Sequence, residues 1–211
     1  MPQNTKEKII EQAYQLFYEK GYFDVSMRDI ADSLGMSVGN LTYHFKRKED
    51  LVEAALLNRT HRYPHSLTIP QNLKELHEFL SKRTKNLEDD PFYFRTMYQL
   101  AELFPSFMES RKDAIEGMER ILSECLAFLV EQGVIKPFAT EVQRKGYIHT
   151  IAFTCFFGLP FLENLASKNV HKELMVSMWS VTLPLLTEKG IEEFETIARQ
   201  DSNVAGLLAP N

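Results

Sequence analysis

Ile9, Ile10, Ala13, Leu16 and Phe17 recur three and four residues apart with Lys and Glu between them, which predicts an amphipathic first helix. Gly21, after Lys20, supplies its stop. Ser26-Met27-Arg28-Asp29 has capping-box form, with a hydroxyl to accept an amide hydrogen bond and an acid in the positive first turn. It opens a short second helix with Met27, Ile30, Ala31 and Leu34 on its inner stripe, ending at Gly35. After a turn of about three residues Ser37 caps a third helix, with Val38, Leu41 and Phe45 on one side.

No later stretch alternates with period two for long enough to propose a sheet, and helical spacing is frequent, so the chain is predicted to be all-α. Leu51, Val52, Ala55 and Leu56 mark a fourth helix that stops before Pro64. Leu73, Leu76, Leu80 and Leu87 form the stripe of a fifth beyond Pro70. Asp90-Pro91 opens a segment carrying Phe94, Met97, Tyr98, Ala101 and Phe104, interrupted near Pro105. A long core helix follows through Ile115, Met118, Leu122, Cys125 and Leu129 to a stop at Gly133.

Thr140-Glu141-Val142-Gln143, another capping box, opens a helix through Ile148, Ile151, Ala152, Cys155, Phe156 and Leu159. It is apolar nearly all round between Ile151 and Leu162, so it must be buried on more than one side, which a monomer can hardly provide. Leu174, Met175, Met178, Trp179, Val181, Thr182, Leu185 and Leu186 predict a last long helix ended by Lys189-Gly190. Ile191, Phe194 and Ile197 suggest a short extra helix before a weakly structured tail from Gln200. The resulting partition is a small module at 1–47, a larger helical one at 48–200 and a tail at 201–211.

The composition is that of a folded globular protein, with 44% hydrophobic and 25% charged residues. The start of the chain shows no basic and apolar leader, and the most apolar stretch, 147–162, falls short of the roughly 20 residues of a membrane span, so the cytoplasm is the expected address. Cys125 and Cys155 are widely separated and expected to be core thiols. No nucleophile elbow, phosphate loop or metal-ligand motif is present, and Pro64 breaks the geometry of His61 and His65, so neither an enzyme, a metal site nor a cofactor is predicted. A net charge of -5 argues against a broadly basic surface, and any nucleic-acid site must be a focused patch such as Lys46-Arg47-Lys48.

The outward side of the third helix is polar but nearly uncharged, where a merely solvated face more often carries Lys and Glu. Small and hydrogen-bonding groups suit a helix that approaches base edges in a major groove. Gly21-Tyr22, Ser26-Met27-Arg28-Asp29-Ile30-Ala31, Gly35-Met36-Ser37-Val38-Gly39 and Leu41-Thr42-Tyr43-His44-Phe45-Lys46-Arg47-Lys48, continuing into Glu49-Asp50-Leu51, resemble the signature of the TetR family. The resemblance covers about 50 residues, and it implies a bacterial homodimeric regulator that binds double-stranded operator DNA with this head. It places Ser37, Val38, Gly39, Asn40 and Thr42 at or near base edges, with Asn40 and Thr42 as the direct readers. Tyr43, His44 and Lys48 fall on backbone phosphates, with Ser26 at the second helix start and Lys46 in the adjoining basic run.

The resemblance further implies a dimer built from the helices at 141–165 and 172–189, and a small-molecule effector in the body that alters the spacing of the heads. The aromatic and Met-rich helices give Phe94, Met97, Tyr98, Met118, Phe153, Phe157, Met178 and Trp179 as pocket residues, with Tyr98, Tyr147 or His149 to orient an apolar or aromatic ligand. Repression is the expected outcome. The alternative left open is a helix-turn-helix interaction or nucleoid-associated factor without a small-molecule effector.

Overall fold

The computed structural model describes residues 5–60, 68–94 and 105–208. Their helices are α1 (Thr5–Lys20), α2 (Met27–Ser33), α3 (Val38–His44), α4 (Lys48–Thr60), α5 (Leu73–Asp89), α6 (Pro105–Glu131), α7 (Glu141–Asn164), α8 (Val170–Thr182) and α9 (Glu188–Gln200). Among the described residues the only extended pairing is an isolated antiparallel bridge between Ile135 and Leu186. No helix of the described residues is long and apolar enough to cross a membrane.

The chain divides into two compact units, 1–64 with 92–111, and 65–91 with 112–211. This differs from the partition at 47/48, because α4 packs along α1 and so closes the first unit. Ile9, Ala13 and Phe17 of α1 are buried with Ile30 and Ala31 of α2, Leu41 of α3, and Leu51, Val52, Ala55 and Leu56 of α4. Burying a side chain of this size contributes about 1.5–3 kcal/mol, and these positions are the apolar stripe that the spacing marks. Within the same unit Phe92 meets Tyr14 edge-on at 5.4 Å between ring centroids.

The second unit has one continuous core. Leu73, Leu76 and Leu80 of α5 join Leu122, Cys125 and Leu129 of α6, Ile151 and Cys155 of α7, Met175, Met178 and Trp179 of α8, and Phe194 of α9. The α7 and α8 helices approach so closely at Gly158 that an added Cβ would lie 2.3 Å from Leu174 Cδ2.

Two expectations fail in this unit. The long helix projected to Lys189-Gly190 ends at Thr182, and Leu183–Leu185 form a 3₁₀ turn around Pro184, which has no amide hydrogen to continue the helix. Thr187 then starts α9: its hydroxyl donates to Gly133 O at 2.7 Å and accepts from Gly190 N at 3.2 Å. Gly190 therefore lies inside a helix and stops nothing. The tail from 201 is likewise ordered through residue 208, because Val204 is fully buried in the core and Leu207 and Leu208 pack against it.

Asp201 fastens that tail. Its Oδ2 lies 3.0 Å from His77 Nε2, and the Trp179 indole donates to His77 Nδ1 at 3.2 Å. An indole N–H only donates, so Nδ1 must be the bare nitrogen and the imidazole is neutral. Burial pushes the His77 pKa below its usual value, against the opposing pull of Asp201. Protonation therefore favours the unfolded chain. The contribution of this group is fully present above the unfolded value of about 6.5 and is lost as pH falls from there through the folded pKa. Trp179 is the sole tryptophan, so its fluorescence reports on this contact. Denaturation followed at Trp179 should shift to lower urea between ~pH 7.5 and ~pH 5.5, and His77→Gln should flatten that dependence. An unchanged slope in the variant would remove His77 from the acid response.

Candidate nucleic-acid interface

The head is built by its caps. Ser26 N donates to Asp29 Oδ2 at 2.8 Å and Asp29 N donates back to Ser26 Oγ at 3.2 Å, which closes the first turn of α2. The Ser26 hydroxyl also donates to Asp29 Oδ2, and this bond, followed by the backbone one, holds the Asp29 carboxyl below its usual pKa. Both Ser26 donors are thus committed within the cap. Gly35, at φ +64, makes the left-handed step between α2 and α3 that an L side chain rarely adopts. Ser37 Oγ then accepts from Asn40 N at 3.2 Å to start α3.

Leu41 and Phe45 anchor α3 in the core and Val38 is half-buried. The opposite side presents Ser37, Gly39, Asn40 and Tyr43, all exposed. Among the described residues no hydrogen bond engages the Asn40 carboxamide, so its donor and acceptor are both available to a base edge. A Cβ on Gly39 would meet nothing nearer than Ser37 Oγ at 3.9 Å, so no internal packing demands glycine there. Thr42 is half-buried and its hydroxyl donates to Gly39 O at 3.1 Å, leaving its acceptor capacity and methyl group outward-capable.

Tyr43 is 85% exposed with no seat against α1, and its ring meets the half-buried His44 edge-on at 5.3 Å. Lys46 is exposed. Arg47 is tied down: its guanidinium reaches Asp50 Oδ1 at 2.7 Å and its amide donates to Asp50 Oδ2 at 3.1 Å, forming the start of α4. Lys48 Nζ sits 4.2 Å over the Tyr22 ring, and burial there lowers its pKa. Tyr22 also donates to Glu49 Oε1 at 3.5 Å. The spacing of apolar residues gives no sign that Tyr22 supports Lys48, because 26 positions of chain separate them.

The residues proposed as an effector lining are scattered. Met118, Met178 and Trp179 are buried in the second unit's core, where Tyr147 donates or accepts at Thr182 Oγ1 over 2.8 Å and burial raises its phenol pKa strongly. His149 and Phe153 instead open outward on α7: His149 Nε2 faces Glu119 Oε1 at 3.2 Å, and Phe153 stacks on the half-buried Phe157 at 5.2 Å. Phe94 is buried in the first unit. Met97 and Tyr98 lie outside the described residues.

An all-helical chain whose head carries two capped helices across a tight glycine turn is a helix-turn-helix protein. Residues 9–55 match the model of the bacterial regulatory proteins of the tetR family. The chain is 28% identical over 143 residues to the biofilm operon icaADBC HTH-type negative transcriptional regulator IcaR of Staphylococcus aureus (strain Newman), covering 65% of this chain and 76% of that one. Its fold is similar to a TetR-family transcriptional regulator of Marinobacter aquaeolei VT8, with TM-score 0.79 and 21% identity over 92% of this chain and 97% of the other. A SmeT–triclosan complex is similar with TM-score 0.61 and 17% identity, covering 88% and 93%. Residues 9–55 are thus a DNA-binding head of the TetR type, and the chain as a whole is similar in sequence and in fold to transcription regulators of that family.

Proposed function

We propose that this regulator is a homodimeric repressor that holds a roughly palindromic operator and is released by a small apolar or aromatic effector bound in its body. The observation that carries the DNA half is the face of α3, where Ser37, Gly39, Asn40 and Tyr43 are exposed beside the half-buried Lys48. Asn40 and Thr42 read base edges, Ser37, Val38 and Gly39 lie close to them, and Tyr43, His44, Lys46 and Lys48 hold phosphates. Ser26 supports these contacts from the cap of α2.

The dimer forms through residues 141–165 and 172–189, because α7 carries exposed Val142, Phe153 and Phe161 on the side away from its core face, followed by the exposed Leu165 at its C-cap. Its two-fold axis sets the recognition helices about 34–36 Å apart, or a multiple of that, on the operator. The effector half follows the SmeT–triclosan complex, and the sign of regulation follows the negative regulator IcaR. Effector and operator each favour a different spacing of the heads, which is the differential affinity that coupling requires.

The test is selection of genomic fragments by the purified protein at near-physiological salt, then footprinting of the strongest. A palindromic footprint supports the reading, whereas binding that ignores sequence and only follows salt overturns it in favour of an architectural factor. On the selected operator, Asn40→Ala should relax base preference by about 1–3 kcal/mol. Lys48→Met should weaken specific and random DNA alike and reduce the salt slope by about one. Equal losses on both DNAs for Asn40→Ala would remove it as a reader.

A further inference from the structure

Arg83 of α5 stands apart from the other arginines whose partners the structure shows. Arg47, Arg144 and Arg199 each hold a carboxylate, at 2.7, 2.6 and 2.8 Å. Arg83 Nε is buried and has no hydrogen-bond partner, and among the described residues no carboxylate pairs with its guanidinium. Its Cζ lies 4.9 Å over the Phe156 ring. Burial pushes the Cys155 thiol up to about 11, and the one influence that opposes this is the Arg83 charge, so the guanidinium's field reaches the fully buried sulfur. Cys155 in turn donates to Met178 Sδ at 3.6 Å. The next residue on α5, Thr84, is already satisfied by backbone carbonyls and by His171 Nδ1 at 2.8 Å, so it offers Arg83 no acceptor.

A buried donor without a partner carries a free-energy penalty in the unliganded state. An anion relieves that penalty, and the planar fork of Arg matches a carboxylate through two parallel hydrogen bonds. The surface against the guanidinium, Phe156, is apolar, and Phe156 belongs to the same core as Cys155 and Met178. We infer that Arg83 is the anchor of a ligand site for an amphipathic carboxylate, an alkyl or aryl chain ending in one carboxyl group. This rests on the reading that the body takes a small effector, and it names the chemical class of that effector.

The test uses the purified protein and a series of saturated carboxylates from hexanoate to dodecanoate, each matched with its primary alcohol, read by thermal shift and by titration calorimetry. At least one carboxylate should stabilise the wild type more than its alcohol does, and its affinity should fall by about tenfold or more in Arg83→Met. Arg83→Lys, which keeps the charge and loses the fork, should fall between the two. Ligand-free Arg83→Met should melt at or above the wild-type temperature, since an unpartnered buried donor has been removed.

Carboxylates no better than alcohols across the series would overturn the assignment, as would a carboxylate response kept intact in Arg83→Met. A variant that fails to fold would overturn it too, by showing that the guanidinium serves the fold. Operator binding measured on the ligand-free variant separates the two readings, because retained binding leaves the DNA-binding role standing whatever the ligand does.

Discussion

On the proposed dimer, Phe153→Glu combined with Phe161→Glu should leave a folded chain that sediments as a monomer and no longer holds the operator at concentrations that saturate the wild type. Phe153 is 62% and Phe161 64% exposed in the single chain, so neither ring belongs to the core that folds the subunit. On the opposite side of α7, Ile151, Cys155, Phe156 and Leu159 supply that core. A helix so apolar on both faces needs a second partner surface. Across a two-fold axis the double substitution removes four rings, at about 2 kcal/mol each, or about 8 kcal/mol from association. With a tenfold change for every 1.4 kcal/mol or so, the dimer fails at working concentrations. A single head keeps only half of the phosphate and base contacts, so operator affinity falls by orders of magnitude while helical content stays unchanged. A variant that remains dimeric would place the interface elsewhere.

How far the sequence foretells this molecule depends on the range over which each signal acts. Ser26, Ser37 and Thr140 announce their helices correctly, because a cap is a contact between residues three apart. The recognition helix is legible for the same reason, with Leu41 and Phe45 inward and Asn40 and Tyr43 outward. The body hides what depends on distant partners. Leu185 and Leu186 continue the apolar spacing of α8, although the chain has already turned at Pro184 to pair Leu186 with Ile135. Phe153 has the same helical spacing as core residues, and only the fold tells that it faces out. His77 meets Trp179 across 102 positions of sequence, and Arg83 meets Phe156 across a comparable stretch, so no local pattern marks either as an inward polar group.

Gly190→Ala should destabilise the protein by about 3 kcal/mol, with the sign opposite to that of the same change at Gly117. Both glycines lie in helices, where alanine is the better former by about 1 kcal/mol. At Gly117 a Cβ meets nothing within 4 Å, so Gly117→Ala should gain that full amount. At Gly190 the Cβ would fall 2.2 Å from Val134 O and 3.2 Å from Leu186 Cβ. The carbonyl cannot step aside freely, because it accepts from Thr187 N at 3.0 Å in the same junction that the Thr187 hydroxyl fastens to Gly133 O. Moving it loosens the link between the end of α6 and the start of α9, so the overpacking cost exceeds the helical gain. Urea denaturation of both variants at neutral pH measures the difference directly. A rise in stability at Gly190→Ala would show that the α9 N-terminus yields where its backbone contacts say it is held.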